Sequence, residues 1–166
     1  MARKAKKIQS STLSTTIKKS SLKIVAFVCN WQSKDKKKPV DPTSKKYSTD
    51  IKFLRVMCAS RIDRAMLLKC VQEKVDGIFI GICNSEKCHY RGGIELAQNR
   101  FQYTTDFLDI IGYDRNRIFV YEDDGTPVNS LPKVLEEFTQ KIKQLGLYQY
   151  ENLLQDNKQR FQFRYP

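Results

Sequence analysis

The sequence predicts an α/β fold with three layers, in which a mostly parallel four-stranded sheet carries helices on both faces, as in flavodoxin-like domains. Short, continuous, β-branched apolar runs are typical of strands that are covered on both faces. Segments with apolar residues at helical spacing lie between these runs, and glycines stand at their ends. Alternating strands and helices indicate a parallel sheet.

Three regions follow from composition. Residues 1–22 combine Ser, Thr and Lys with few apolar residues, so we expect a disordered basic arm. Residues 23–146 form the predicted α/β domain. Residues 147–166 form a tail with aromatic and basic side chains, which either docks on a partner protein or folds back on its own domain.

The first predicted strand, Ile24 to Val28, is followed by a lysine-rich loop from Asn30 to Asp50. The second strand runs from Ile51 to Cys58. The stretch from Arg61 to Val75 then shows an apolar stripe at helical spacing, which contains Leu67, Cys70 and Val71. These segments predict a strand, a loop, a strand and a helix.

The second half of the domain repeats the pattern. A third strand from Ile78 to Ile82 precedes a helix from about Ile94 to Ile111, which ends at Gly112. A fourth strand spans Arg117 to Glu122. A final helix from Pro132 to Leu145 ends before Gly146.

Most of the net charge of +12 lies in residues 1–22 and 34–46. Basic segments bind many acidic partners without selectivity, so the charge identifies no particular partner. We expect these segments to be solvated. Nucleic acid is therefore not an expected partner. No apolar run is long enough to span a membrane and no secretory signal is recognisable, so we expect a cytoplasmic protein.

Four of the five cysteines are placed to converge. Cys29, Cys58 and Cys83 each stand at the end of an apolar run, and Cys88 follows Cys83 by five residues. Since ligands of parallel sheets bind outside the carboxyl ends of the strands, we expect these thiols at one site. Four thiolates bind an iron–sulfur cluster or zinc. Cys70 belongs to the predicted helix stripe, so we assign it to the core.

The spacing of the thiols bears on the choice of metal. Structural zinc sites usually contain two C-x2-C pairs, and this chain has none. The C-x4-C step from Cys83 to Cys88 is compatible with an iron–sulfur cluster. Zinc is thus the weaker interpretation.

Three motifs in order resemble the delta subunit of methyl-viologen-reducing hydrogenase, over about Ile24 to Leu145: Cys29-Asn30-Trp31, Leu54-Arg-Val-Met-Cys58-Ala-Ser-Arg61 and Gly81-Ile-Cys83-x4-Cys88-His89-Tyr90. The resemblance implies a non-catalytic electron-transfer subunit of an oxidoreductase complex, related to methanogenesis. It implies a [2Fe-2S] cluster on Cys29, Cys58, Cys83 and Cys88. The implied partners are the small subunit of a nickel–iron hydrogenase and the flavin-bearing subunit of heterodisulfide reductase.

One position departs from the family. Its members typically read Cys-Asn-Trp-Cys, whereas this chain has Gln32 in place of the second cysteine. If a cluster is retained, the four remaining thiols are the only sensible ligand set. The alternative is a scaffold or zinc-binding interaction module that has lost the cluster.

Residues near the thiols are candidates for tuning or shielding a cluster. Arg55 and Arg61 either adjust the local potential and dock a partner, or point into solvent. Trp31 either shields the site from water or simply packs. We expect His89 to donate a hydrogen bond to a sulfur or to the backbone, and the amides of Gly92–Gly93 to bond the cluster sulfides.

Overall fold

A computed structural model confirms the predicted α/β fold. It describes residues 22–32, 47–84, 88–90, 92–124, 126 and 130–149. Residues 1–21 of the predicted arm, most of the basic loop and residues 150–166 of the predicted tail lie outside the described residues. Four parallel strands form one sheet in the order β2-β1-β3-β4. The order reverses between β1 and β3, which is the position where flavodoxin-like sheets bind ligands.

The four strands are β1 (Ile24–Cys29), β2 (Ile51–Val56), β3 (Gly77–Ile82) and β4 (Ile118–Glu122). β3 is buried along its whole length, because it lies inside the sheet and is covered on both faces. β2 forms an edge and is buried only at its first residue. The four predicted strands are all present, in the predicted order along the chain.

Three helices connect and cover the strands: α1 (Arg64–Gln72), α2 (Gly93–Ile110) and α3 (Leu131–Leu145). Two short 3-10 turns, Ala59–Arg61 and Arg115–Arg117, precede α1 and β4. α2 is followed by Gly112, whose φ of 92° lies in the left-handed region expected of a helix-ending glycine.

Two apolar cores make the three layers. On one face of the sheet, α1 and α2 pack their buried residues, among them Leu67, Cys70, Ile94 and Phe101, against Phe27, Ile78 and Ile80. On the other face, α3 packs Leu135, Phe138 and Ile142 against Ala26 and Phe79. The predicted helices on both faces are therefore confirmed.

Two predicted boundaries were wrong near the second strand. β2 ends at Val56, so Cys58 lies two residues beyond the strand and not at its last position. α1 begins at Arg64 because the Asp63 side chain accepts a hydrogen bond from the Met66 N–H at 2.8 Å and thereby caps the helix. Arg61, which we had placed in this helix, ends the preceding 3-10 turn.

A buried carboxylate holds the opposite edge of the sheet, where the strands begin. Asp76 is 3% exposed and accepts hydrogen bonds from the backbone N–H groups of Lys23 at 2.7 Å and Tyr148 at 2.6 Å. Arg117 donates to the carbonyl oxygens of Asp76 and Gly146. These bonds fasten the first residues of the predicted tail to the domain. None of the helices in the described part of the chain is long and apolar enough to cross a membrane.

Candidate functional site

Cys29 and Cys83 lie side by side because they follow paired strands. Cys29 is the last residue of β1, and Cys83 comes directly after β3, which pairs with β1. A hydrogen bond from Cys83 lowers the pKa of Cys29 to about 6, against the opposing effect of burial. The same hydrogen bond and burial raise the pKa of Cys83. Of the two thiols, Cys29 is therefore the one that loses its proton more readily.

The sulfur of Cys29 also accepts hydrogen bonds from the backbone. The N–H groups of Trp31, Ala59 and Cys83 lower its pKa further. These donors come from the loops that follow β1, β2 and β3, so three strand ends contribute to one anion-binding position. Such a position favours a charged sulfur over a neutral thiol.

The sulfurs of Cys58 and Cys88 both lie close to Gly93, the first residue of α2. A Cβ at Gly93 would stand 3.4 Å from the sulfur of Cys58 and 3.9 Å from that of Cys88. Ser60 donates a hydrogen bond from its hydroxyl to the Cys58 sulfur at 3.1 Å, and the Cys88 thiol donates to the carbonyl of Tyr90 at 2.9 Å. Cys88 also forms a hydrogen bond with Cys83, which connects it to the first pair.

The N-terminus of α2 lies beside the sulfurs of Cys58 and Cys88. Gly92 caps the helix with a φ of 73°, a left-handed conformation that glycine adopts without strain, and the N–H of Gly93 donates to the Tyr90 carbonyl at 3.0 Å. A helix of 18 residues has a partial positive charge at its first turn. The missing side chain at Gly93 leaves room beside the sulfurs of Cys58 and Cys88.

The thiols are adjacent in pairs and do not surround one point. Within the described ranges, no three His, Cys, Asp or Glu side chains are arranged to hold a single metal ion. A [2Fe-2S] cluster takes its four thiolates on two irons, so it does not require all four around one ion. Soft sulfur donors and an environment that favours thiolates suit an iron–sulfur group.

Trp31 and His89 form a stacked pair near the thiols. Their ring centroids are 3.9 Å apart with an interplanar angle of 9°, and Tyr90 contacts the His89 ring edge-on. The contact that the structure gives His89 is thus an aromatic one, which differs from the predicted hydrogen bond. The stack joins the loop after β1 to the Cys88 loop, and the indole N–H of Trp31 is buried without a hydrogen-bond partner among the described residues.

The two arginines predicted near the site are both exposed. Arg55 donates a hydrogen bond to the Asn30 side chain, which follows Cys29. This bond links the exposed edge strand to the loop after β1. Arg61 lies at the end of the 3-10 turn that begins directly after Cys58.

Gln32 lies on the other side of the sheet from Cys29. Successive side chains along β3 point to opposite faces of the sheet. Ile80 packs in the core beneath α1 and α2, and Phe79 packs in the core beneath α3. A Cβ at Gly81 would therefore point toward α3, like the side chain of Phe79. The Gln32 amide occupies that place, with its Nε2 2.9 Å from such a Cβ. Gln32 is 4% exposed, and neither amide atom has a hydrogen-bond partner in the described part of the chain.

Cys70 is separate from the other four cysteines. It lies in the core on α1, as predicted, and burial raises its pKa to about 11. A thiol that holds its proton so firmly is a poor ligand at neutral pH, which supports the assignment of Cys70 to packing.

Sequence reasoning missed two contacts at the site. Ser60 stands two residues after Cys58, and Tyr90 stands two residues after Cys88. The Cys-x-Ser spacing is a usable signal, since a hydroxyl two residues on can reach back to a sulfur. The Tyr90 contact uses a backbone carbonyl, so its residue type carries no signal.

The sequence matches one protein family over most of its length. Residues 24–146 match the model of the family described as methyl-viologen-reducing hydrogenase, delta subunit. The chain belongs to this family. The matched segment extends from the first residue of β1 to the residue after α3, so it covers the whole sheet and includes all four thiols of the candidate site.

Curated relatives of this delta-subunit family member fall into two groups. The first contains hydrogenase subunits of similar length. The vhc iron-sulfur subunit of the F420-non-reducing hydrogenase of Methanococcus voltae is 32% identical over 75% of this chain and 86% of the relative. The corresponding iron-sulfur subunit of the F420-non-reducing hydrogenase of Archaeoglobus profundus is 26% identical over 77% of this chain and 93% of that protein.

The second group contains much longer proteins. One polypeptide of the ferredoxin/F(420)H(2)-dependent CoB-CoM heterodisulfide reductase of Methanosarcina acetivorans is 26% identical over 74% of this chain but only 16% of its own length. In that protein, a segment similar to this chain is therefore part of a heterodisulfide reductase polypeptide.

Proposed function

We propose that this chain is an electron-transfer subunit that binds a [2Fe-2S] cluster through Cys29, Cys58, Cys83 and Cys88. Such a cluster, when bound, accepts and releases single electrons. The observation that carries the proposal is a series of contacts among the four thiols: Cys29 bonds Cys83, Cys83 bonds Cys88, and Cys88 and Cys58 both lie near the first residue of α2.

The surrounding residues supply what a negatively charged cluster needs. Backbone N–H groups of Trp31, Ala59 and Cys83 stabilise the Cys29 thiolate. The N-terminus of α2, where the helix dipole is positive, lies beside Cys58 and Cys88. The stacked rings of Trp31 and His89 join the loop after β1 to the loop that contains Cys88. Burial and hydrogen bonding of this kind set the reduction potential.

The partners follow from the relatives. Some relatives are named as hydrogenase iron-sulfur subunits, and others are heterodisulfide reductase polypeptides that contain a segment similar to this chain. A domain that occurs within one partner's polypeptide in some organisms commonly binds that partner when it is encoded separately. We therefore propose that this chain transfers electrons between a hydrogenase and heterodisulfide reductase, and binds no substrate itself.

Anaerobic reconstitution with iron and sulfide tests the cluster. The expected product is a coloured protein with two irons and two sulfides per chain, and with a paramagnetic signal after reduction by dithionite. Cys88→Ser is expected to lose the colour, because it removes one of four ligands. Cys70→Ser is the matched control and keeps the colour, because Cys70 lies in the core away from the site.

Other outcomes would contradict the proposal. A colourless wild-type protein that binds one zinc per chain would favour a zinc-binding interaction module. Equal iron content in the Cys88→Ser variant and the wild type would show that Cys88 is not a ligand.

A further inference from the structure

Four large apolar side chains form a row on the solvent side of α2. Leu96, Tyr103 and Ile110 are each about two-thirds exposed, at 66%, 68% and 66%, and Phe107 is 39% exposed. Their spacings of seven, four and three residues place them on one face of the helix. Single exposed apolar residues are ordinary, but a continuous row marks an interaction surface. We call these four residues the α2 stripe.

The α2 stripe begins beside the thiol site. Gly93 lies beside the sulfurs of Cys58 and Cys88, and Leu96 is one helical turn further on. From Leu96 to Ile110 the stripe extends for about 21 Å, at about 1.5 Å per residue. A protein that covered the stripe would therefore reach the proposed cluster with one end of its contact surface.

Charges along the stripe are uneven. Arg64 of α1 lies over the Phe107 ring, with its guanidinium carbon 6.0 Å from the ring centroid. Arg100 donates to the carbonyl of Ser60 at 2.8 Å, which holds it along the same border. Neither arginine forms an ion pair within the described ranges.

Two acidic residues of α2 share one arginine. Asp106 and Asp109 lie on the opposite border of the stripe, where Arg115 approaches their carboxylates to 2.6 and 3.6 Å. The opposite border, with Arg64 and Arg100, is basic and has no carboxylate paired to it among the described residues. It favours carboxylates on the part of the partner surface that meets it.

We propose that the α2 stripe is the docking surface for the protein that exchanges electrons with the thiol site, and that this partner presents an apolar groove bordered by carboxylates. The proposal rests on the proposed function, under which the partner to test is the flavin-bearing subunit of heterodisulfide reductase. Docking along α2 places the partner directly against the helix end that contacts Cys58 and Cys88.

Binding is measured by biolayer interferometry between the reconstituted chain and the purified flavin-bearing heterodisulfide reductase subunit from the same organism. Tyr103→Glu is expected to weaken binding about tenfold or more, because it puts a charge at the centre of an apolar contact. Leu147→Ser is the matched control, since Leu147 is 42% exposed and follows α3. It is expected to bind like the wild type.

Charge is tested separately with Arg64→Glu. A carboxylate at the first residue of α1 is favourable to the helix, so this variant is expected to fold normally. It is expected to slow association and to flatten its dependence on ionic strength. Circular dichroism and the cluster absorption of each variant verify that fold and site are intact.

Three results would overturn the docking surface. One is the absence of binding by the wild type, and another is equal binding by the Tyr103→Glu variant. The third is a wild-type homodimer that Tyr103→Glu converts to a monomer while binding to the reductase subunit is unchanged. Failure of the proposed function is distinguishable, because it appears as loss of the iron and the colour in the wild type, which this binding measurement does not read.

Discussion

Replacement of Gln32 by methionine tests the most unusual feature of the interior. Gln32 is 4% exposed, and its amide oxygen and nitrogen have no hydrogen-bond partner among the described residues. Methionine has a similar length, is unbranched and carries no strong hydrogen-bonding group, so it fills the same space over Gly81. The variant therefore removes the unpaired polar atoms with little change in packing.

The expected gain follows from the cost of the unpaired amide. A buried polar group without a partner costs about 1–3 kcal/mol, and an apolar replacement of the same shape removes that cost. We expect Gln32→Met to raise the free energy of unfolding by about 1–3 kcal/mol. With a urea m-value of about 1–3 kcal/mol/M, the midpoint rises by about 1 M.

Urea unfolding of the reduced, cluster-free protein, followed by circular dichroism, gives the free energy and the m-value. An unchanged m-value shows that the gain is in stability and not in the exposed surface. The reconstituted variant provides a second measurement. Its visible absorption is expected to match the wild type, because Gln32 lies on the α3 side of the sheet, away from Cys29.

Two results would refute this reasoning. A free energy of unfolding that stays equal or falls would show that the amide has a stabilising partner in solution. A changed cluster spectrum would show that residue 32 contacts the cluster, contrary to its position over Gly81.

Three further predictions concern other sites. Gly77→Ala places a Cβ 2.7 Å from Cγ1 of Ile142, so urea unfolding is expected to show a loss of about 1–3 kcal/mol. Gly93→Val places methyl groups against the Cys58 sulfur, so the iron content per chain is expected to fall. Gly93→Ala is the control: its Cβ lies 3.4 Å from that sulfur, and this variant is expected to keep its iron. Burial raises the pKa of Cys70 from 9.0 to about 11, so the folded chain keeps this proton to a higher pH than the unfolded chain does. The contribution of this difference to the free energy of unfolding is complete below about pH 9 and is lost by about pH 11. Unfolding free energies across this range are expected to fall by about 2–3 kcal/mol more in the wild type than in Cys70→Ala.

The fold could be predicted because its inner strands have a distinctive composition. β1 and β3 are continuous β-branched runs, and burial on both faces is the physical reason for that composition. The end of β2 was misplaced because Met57 and Cys58 continue the apolar run, yet the chain has already left the sheet at Val56. An edge strand has one neighbour, so composition alone does not show where its pairing ends.

The site was predictable only in part. That Cys29 and Cys83 meet follows from the pairing of β1 with β3. The stack of Trp31 on His89 and the position of Gly93 beside two sulfurs depend on how the Cys88 loop folds against the rest of the domain. Long-range packing of loops leaves no periodic signal in the sequence.

The strand order explains how Cys29 gains its hydrogen-bond donors although residue 32 is glutamine and not cysteine. β1 lies between β2 and β3, so Cys29 receives N–H bonds from Ala59, after β2, and from Cys83, after β3. The Gln32 side chain takes no part in these bonds, since its amide lies on the opposite face of the sheet, beside Gly81. The loops after β1, β2 and β3 therefore supply the donors to Cys29 without the side chain of residue 32.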